Sequence, residues 1–231
     1  MLKFYFHPTP NPMKVALFLA EAGLEYQLIP IDTLKGEQHQ LSFRQVNPNG
    51  KLPAIDDDGT VVFDSNAILL YLADKTGQFN GAPDNRGELL SWLMFIASGL
   101  GPFSGQSVHF QRMAPESVPY AINRYRREAA RHYEVLNERL RERDFIVGDS
   151  YTIVDMAAWG WIDRASLVLG EDELDNYPEL SRWFNAINER PAVKVARQTG
   201  KEIAFKSERD ELAQRALFPQ NYPEPIATHA Q

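Results

Sequence analysis

The first third of the chain alternates runs that have the hydrophobic spacing of strands with runs that have the spacing of helices. Residues 2–6, LKFYF, predict a short aromatic strand. A helix is predicted to follow over residues 12–22, with Asn11 as its N-cap and Gly23 just past its end. Its buried face contains four residues at helical spacing: Val15, Phe18, Leu19 and Ala22. The segment YQLIPID then predicts a second strand, parallel to the first.

A hairpin pattern and a second helix come next. The segments KLPAI and VVFD flank Asp58-Gly59, an arrangement typical of two antiparallel strands joined by a tight turn. The run SNAILLYLADKTG predicts a helix with Ser65 as its N-cap. The order βαβ followed by ββα predicts a mixed four-stranded sheet with helices in residues 1–77.

Beyond residue 77 the strand signals fade and helical spacing dominates. Helices are predicted near residues 88–110, 117–142, 152–168, 178–189 and 191–199. Thr152 and Asp155 have the spacing of a capping box at the start of the third of these. The expected organisation is an α/β domain over 1–77, a linker over 78–87, an all-helical domain over 88–215 and a surface tail over 216–231.

Composition and charge narrow the classes of function. The chain has 231 residues, a net charge of −7 and a pI near 5.3, whereas nucleic acids and anionic membranes favour basic partners. The longest strongly apolar run, residues 67–73, is too short to span a bilayer. The N-terminus shows no secretory-signal pattern. We therefore expect a cytoplasmic protein with neither a nucleic-acid nor a membrane partner.

The sequence contains no cysteine. It therefore has no disulfide, no thiolate metal site and no cysteine nucleophile. The histidines are scattered without the spacing of zinc ligands: His7, His39, His109, His132 and His229. We expect no metal in this protein.

Several short motifs resemble those of the glutathione transferase superfamily. The general marks are LPAI, DSNAILLYL and TIVDMA. The narrower marks resemble the Nu-class bacterial enzymes, which are similar to glutathione-dependent disulfide-bond reductases: YFHPTPNPMK, NPNGKLPAI, GLGPFSGQSVHF and PYAINRYRRE. The resemblance implies a thioredoxin-like domain followed by an all-α helical bundle, with glutathione as co-substrate and a homodimer as the assembly.

Because the chain has no cysteine, any thiol chemistry needs a sulfur from a bound molecule, and glutathione would supply one. Thioredoxin-like domains commonly carry a Cys-x-x-Cys thiol after their first strand, where this chain has PTPNP, residues 8–12. If the chemistry is thiol chemistry, its sulfur must come from a bound small molecule. Thr9 O–H and the Asn11 amide can both donate hydrogen bonds to a thiolate, and the flanking prolines make the segment stiff. Thr9 and Asn11 are therefore the expected catalytic residues, although Asn11 also suits a purely capping role.

Each part of glutathione has a matching candidate residue. Asp64 would pair with the γ-glutamyl ammonium, and Ser65 with the amides of its helix would hold the carboxylate. Alternatively, these two residues serve only the helix start. Leu52 would pair its backbone with the peptide of glutathione, and the resemblance implies a cis bond between Leu52 and Pro53.

The remaining binding candidates have plain alternatives. Gln38 and Lys51 are placed for the glycine carboxylate, or they are ordinary surface residues. Arg124 resembles the Nu-class arginine that reaches glutathione from the helical half, or it belongs to an exposed basic stripe. Tyr5 is the rival for the catalytic role, since many transferases use a tyrosine in the first strand, but it also fits a packing role there. Pro10 occupies the place where other members have a serine.

The expected function is a glutathione-dependent thiol–disulfide oxidoreductase that reduces small disulfides. One alternative is an S-transferase or thioether lyase acting on electrophilic or aryl compounds. Its acceptor site would involve aromatic residues that also suit a core: Phe103, His109, Phe110 and Trp161. A second alternative is a non-catalytic regulatory or scaffold protein, against which the complete set of ligand-binding candidates argues.

Overall fold

The computed structural model describes residues 1–222, so residues 223–231 of the expected tail lie outside the described part. Four strands form one sheet: β1 Leu2–Phe6, β2 Gln27–Pro30, β3 Ala54–Asp57 and β4 Thr60–Phe63. Their spatial order is β2-β1-β3-β4, with β1 and β2 parallel and the other two pairs antiparallel. The predicted mixed four-stranded sheet is confirmed.

Helices make up the rest of the fold. Those of the first part are α1 Pro10–Ala22, α2 Leu41–Arg44 and α3 Ser65–Thr76. Those of the second part are α4 Arg86–Phe95, α5 Gly101–Arg112, α6 Pro119–Arg139, α7 Ile153–Ile162, α8 Ala165–Val168, α9 Pro178–Asn188, α10 Pro191–Ala196 and α11 Glu211–Leu217. The all-helical second half is confirmed, and a π-helical segment, Ile96–Leu100, separates α4 from α5. Within residues 1–222 no helix is both long and apolar enough to cross a membrane.

The two halves share a core in which α1 packs against α7. All ten residues of α7 are buried, and so is the central part of α1 from Pro12 to Leu19. Gly160 allows this close approach, because a Cβ there would lie 2.7 Å from the Pro10 carbonyl oxygen. The start of α1 is therefore held against the helical half.

Two predicted helix caps are wrong. Helix α1 begins at Pro10 with Thr9 as its N-cap, so Asn11 lies inside the first turn. Helix α3 begins at Ser65 with Asp64 as its N-cap. Asp64 has a φ of 73°, a conformation that aspartate tolerates better than most residues, and its Oδ1 accepts the N–H groups of Asn66 and Ala67. Aspartate and serine are both good caps, so the sequence alone does not choose between them.

The C-terminal segment forms a helix that the sequence analysis did not predict. Asp210 caps α11 by accepting the Ala213 N–H at 2.8 Å. Residue 216, where the expected tail begins, lies inside this helix. Helix α11 packs against the 3-10 turn Thr33–Lys35, so it belongs to the folded body rather than to a separate surface tail.

The predicted capping box at α7 is confirmed and buried. The Asp155 carboxylate accepts bonds from the Ile146 N–H and the Trp183 indole through Oδ1, and from the Thr152 N–H and hydroxyl through Oδ2. Burial raises the pKa of Asp155 to about 6, so the carboxyl is still mostly ionised at neutral pH.

Replacing Asp155 with alanine should lower the free energy of unfolding by at least about 3 kcal/mol, because buried donors lose their acceptor. Urea unfolding measures the change. The control is Asp210→Ala, which removes an exposed cap and should cost about 1 kcal/mol. Equal losses for the two variants would contradict a special role for the buried carboxylate.

Candidate active site

Three candidate segments meet at one end of the sheet, where β1 and β4 end and β3 begins. β1 ends at Phe6, before Thr9 and Asn11, and β4 ends at Phe63, before Asp64. β3 runs antiparallel to both and begins at Ala54, directly after the Leu52–Pro53 pair. Ala54 pairs with Tyr5 on one side and with Phe63 on the other. The sheet therefore brings the expected sulfur-binding, peptide-binding and γ-glutamyl-binding segments together.

The start of α1 presents side-chain donors rather than a row of backbone amides. Pro10 and Pro12 have no N–H, so Asn11 supplies the one backbone N–H among the first three helical positions. Thr9 is exposed, and its hydroxyl makes no cap bond to α1. The donors available at this helix start are therefore the Thr9 hydroxyl, the Asn11 N–H and the Asn11 side-chain amide.

The Asn11 side chain is held by a hydrogen bond from the helical half. The indole Nε1–H of Trp161, on α7, donates to Asn11 Oδ1 at 3.1 Å. An indole nitrogen can only donate, so this bond sets which end of the amide is the oxygen. Among the described residues, no hydrogen bond uses Asn11 Nδ2. Within residues 1–222, both amide hydrogens are therefore free to donate to a further acceptor.

The glycine-rich motif GLGPFSG explains how Trp161 reaches this position. A Cβ at Gly101, the first residue of α5, would lie 3.0 Å from Trp161 Nε1 and 3.2 Å from the Ile96 carbonyl oxygen. The Tyr133 hydroxyl donates to the Trp161 carbonyl oxygen at 3.3 Å. Trp161 is buried, with 9% of its surface exposed, so its ring cannot easily turn away from Asn11.

The start of α3 combines an exposed carboxylate with a buried hydroxyl. Asp64 caps the helix through Oδ1, while Oδ2 makes no hydrogen bond within residues 1–222. Ser65 is buried, and its Oγ accepts from the Lys14 amine at 3.4 Å. Since a hydroxyl also has one proton to donate, Ser65 keeps that proton for a further acceptor. A cation and a carboxylate of one ligand would both find partners here.

The segment before β3 has a backbone that the sheet does not use. The Leu52–Pro53 peptide is cis, as the resemblance implies, and sheet pairing starts only at Ala54. Buried Asn47 donates to the Lys51 carbonyl oxygen at 2.6 Å and so fixes this loop. The Lys51 side chain is exposed. Leu52 is therefore placed to pair with an extended peptide.

Gln38 is engaged by the C-terminal segment. Its side chain is 4% exposed, and its Nε2 donates to the Ala216 carbonyl oxygen of α11 at 2.9 Å. The neighbouring His39 ring also contacts that carbonyl oxygen, at 2.9 Å. Gln38 Oε1 is buried with no partner among the described residues. Helix α11 thus occupies the donor that the sequence analysis assigned to the glycine carboxylate.

Arg124 and Tyr5 are not brought into the site by any described contact. Arg124 lies on the exposed side of α6 and pairs with Glu128 at 3.3 Å. Tyr5 packs its ring against Phe43 of α2, with the centroids 5.7 Å apart. That contact supports the packing role of Tyr5 over the catalytic one.

The sequence analysis did not predict the contacts that Lys14 and Trp161 make with the candidate site residues. Lys14 was overlooked, although it lies four residues before Phe18 and therefore on the buried face of α1. Trp161 was considered only as an acceptor-site or core aromatic. Of the other aromatics considered with it, His109 contacts Phe218 and Phe110 stacks on Tyr125. Within the described part of the chain, no group of three or more histidine, aspartate or glutamate side chains is arranged to hold a metal.

The fold and the site define a protein class that the comparisons identify. The family description for the glutathione S-transferase N-terminal domain matches residues 1–74, and that for the C-terminal domain matches residues 112–191. The chain belongs to the glutathione S-transferase family.

One named bacterial protein and two solved structures are similar to this chain over most of their length. Disulfide-bond oxidoreductase YfcG of Escherichia coli strain K12 is 42% identical over 204 residues, covering 85% of this chain and 94% of that protein. A glutathione transferase homologue from Lodderomyces elongisporus, solved with two GSH per subunit, is 34% identical with a TM-score of 0.80, covering 84% of this chain and 96% of that one. The glutathione transferase URE2P6 from Phanerochaete chrysosporium, in complex with oxidised glutathione, is 34% identical with a TM-score of 0.81, covering 88% of this chain and 97% of that one.

Proposed function

We propose that this protein is a glutathione-dependent disulfide-bond oxidoreductase. The observation that carries the proposal is the donor pair Thr9 and Asn11, with the Asn11 amide oriented by Trp161, in a chain that contains no cysteine. Such donors have no protein thiolate to stabilise, so they suit the thiolate of a bound peptide. YfcG, which is 42% identical, is named a disulfide-bond oxidoreductase, and this supports the reaction type.

The proposed reaction has two balanced steps. The glutathione thiolate attacks one sulfur of a small disulfide, which forms a glutathione mixed disulfide and expels the other half as a thiolate. A second glutathione thiolate then attacks the glutathione sulfur of the mixed disulfide, which yields oxidised glutathione and releases the second half. In total, two glutathiones are oxidised as one disulfide is reduced to two thiols. The L. elongisporus homologue was solved with two GSH per subunit, which supports a reaction that uses two molecules of glutathione.

Each candidate residue has a role in this proposal. Thr9 and Asn11 lower the pKa of the bound thiol by donating hydrogen bonds to its anion. Asp64 and Ser65 hold the γ-glutamyl end, and the backbone of Leu52 next to Pro53 holds the central peptide. Three residues remain proposed contacts for the rest of the peptide: Lys51, Gln38 and Arg124. For Gln38, binding requires that it share or release the Ala216 carbonyl.

A disulfide-reduction assay tests the proposed function. The protein is first treated with iodoacetamide, the reagent is removed, and glutathione and 2-hydroxyethyl disulfide are added. Full activity should remain, with oxidised glutathione accumulating in proportion to the disulfide consumed. Dithiothreitol at a matched thiolate concentration should be a poor substitute, because it lacks a γ-glutamyl end. A rate with glutathione no higher than the uncatalysed one, together with turnover of an aryl halide, would favour the conjugation alternative.

Replacing Asp64 with asparagine should weaken glutathione binding by about 1.5–3 kcal/mol, because the ligand ammonium loses a charged partner. Asparagine retains an oxygen that can cap α3, so the thermal unfolding midpoint should change little. Titration calorimetry measures the affinity, and Asp210→Asn is the matched cap-residue control. Unchanged affinity for the Asp64 variant would remove this residue from the site.

We also propose a homodimer in the cytoplasm. Four large apolar side chains are exposed on the edge strand β4 and on α4: Val61 at 44%, Phe63 at 42%, Leu90 at 36% and Met94 at 50%. An edge strand such as β4 has a strand neighbour on one side only, and exposed apolar side chains on it favour coverage by a partner subunit. A sedimentation mass equal to one chain would contradict the dimer.

The cytoplasm is the compartment in which glutathione systems keep thiols reduced, as the proposed reaction requires.

A further inference from the structure

A buried lysine lies directly beneath the proposed γ-glutamyl site. Lys14 is on α1, three residues after Asn11, and only 1% of its surface is exposed. Its amine donates to Ser65 Oγ at 3.4 Å, across the contact between α1 and α3. Lysine is almost never buried to this extent unless its charge is paired. The proposed disulfide chemistry does not use this group.

The packing around Lys14 fixes its conformation. A Cβ at Gly160 of α7 would lie 2.6 Å from Lys14 Cγ. The aliphatic part of Lys14 therefore lies against a surface that only glycine leaves open, and its amine extends to the start of α3. Alanine at position 160 would not fit without moving the lysine or the Pro10 carbonyl.

The charge state of Lys14 depends on few neighbours. Burial lowers the pKa of its ammonium to about 7, and the negative charge of Asp64 opposes this shift. On the helices that pack against α1, the other charged side chains are engaged elsewhere or exposed: Lys75 with Asp57, Asp74 with Arg86, Asp155 with the α7 cap, Asp163 with Arg197, Arg190 with Glu21, and Lys194 at the surface. Asp64 is thus the one carboxylate that faces Lys14 within residues 1–222.

We propose that Lys14 is a positioning residue that takes up a proton when a γ-glutamyl carboxylate binds at Ser65. The amine holds Ser65 Oγ as an acceptor, so the Ser65 proton points to the ligand carboxylate. The incoming negative charge stabilises the ammonium form, and the ammonium in turn stabilises the bound carboxylate. This inference rests on the proposed function, because it requires a γ-glutamyl ligand at the start of α3.

A definite pH dependence follows. Ligand binding raises the pKa of Lys14, so the complex binds more protons than the free protein over the interval between the two pKa values. Affinity should therefore fall as pH rises above about 7, by up to about tenfold per pH unit. Below that interval the amine is already protonated, and the affinity should level off.

Titration calorimetry with S-methylglutathione tests the proposal, because this ligand has no thiol proton to lose. The proton count comes from binding enthalpies at pH 7.5 in two buffers that differ in ionisation enthalpy. The wild type should take up between roughly half and three quarters of a proton per ligand bound, because Lys14 is already about one quarter protonated at this pH in the free protein. Lys14→Met, which keeps much of the side-chain length, should take up none and should bind with an affinity that hardly changes from pH 6.5 to 8.5. Lys194→Met removes an exposed lysine from α10 and should behave as the wild type.

The outcomes separate this proposal from the proposed function. Binding of S-methylglutathione to the wild type without proton uptake would overturn the role of Lys14 and leave the glutathione site intact. No binding at all would overturn both. The wild-type proton count decides the matter even if Lys14→Met fails to fold.

Discussion

Replacing Asn11 with alanine is expected to lower kcat for disulfide reduction by about 10²–10³-fold, the usual cost of losing one preorganised donor to a developing anion. The affinity for S-methylglutathione, which carries no thiolate, should stay close to that of the wild type. Steady-state rates with 2-hydroxyethyl disulfide and calorimetric titration measure the two effects. Thr9→Ala should act in the same direction, because its hydroxyl is the second donor.

The matched control for Asn11 is Asn188. Asn188 Oδ1 accepts the indole N–H of Trp159, also on α7, at 3.0 Å, and so repeats the Asn–Trp pair away from the site. Asn188→Ala should leave kcat close to that of the wild type. If Tyr5→Phe abolishes turnover while the Asn11 and Thr9 variants remain active, the enzyme is of the tyrosine type and the assignment is wrong.

Replacing Trp161 with phenylalanine should lower kcat by roughly tenfold to a hundredfold, although Trp161 donates to Asn11 rather than to the sulfur. Phenylalanine fills most of the same space but cannot donate a hydrogen bond. The Asn11 amide would then be free to turn its oxygen towards the thiolate. Stopped-flow reduction of the disulfide measures the rate, and Trp159→Phe serves as the control for loss of an indole N–H from α7.

A double variant gives the sharper version of this test. If Trp161 acts through Asn11, the combination of Trp161→Phe with Asn11→Ala should be no slower than Asn11→Ala alone. Independent, multiplicative losses would mean that Trp161 contributes to turnover by another route, such as packing between α5 and α7.

The sheet and the start of α7 could be predicted because their signals are local. The hairpin at Asp58-Gly59 and the capping box of Thr152 and Asp155 each occupy a few consecutive residues, and both are present in the structure. The cap of α3 was misplaced by one residue because aspartate and serine serve equally well. When two neighbouring residues are both good caps, the backbone conformation imposed by the surrounding fold decides which of them caps the helix.

The long-range part of the site could not be predicted from the pattern. Trp161 and Asn11 are separated by 150 positions, and all ten residues of α7 are buried, so nothing local distinguishes this tryptophan from a core residue. The contact between Gln38 and Ala216 depends on a C-terminal helix that packs back onto the first domain. A role for Lys14 could have been predicted from the sequence, because a lysine on the apolar face of a helix is almost never buried unless its charge is paired.

Thr9 and Asn11 are proposed to convert the thiol of bound glutathione into a thiolate. The most direct measurement follows the ultraviolet absorbance of the thiolate while the glutathione complex is titrated with base. In the wild-type complex the thiol pKa should lie about two units below its ordinary value near 8.5, and in Asn11→Ala it should return most of the way to that value. A wild-type complex whose thiol titrates like free glutathione would contradict the claim.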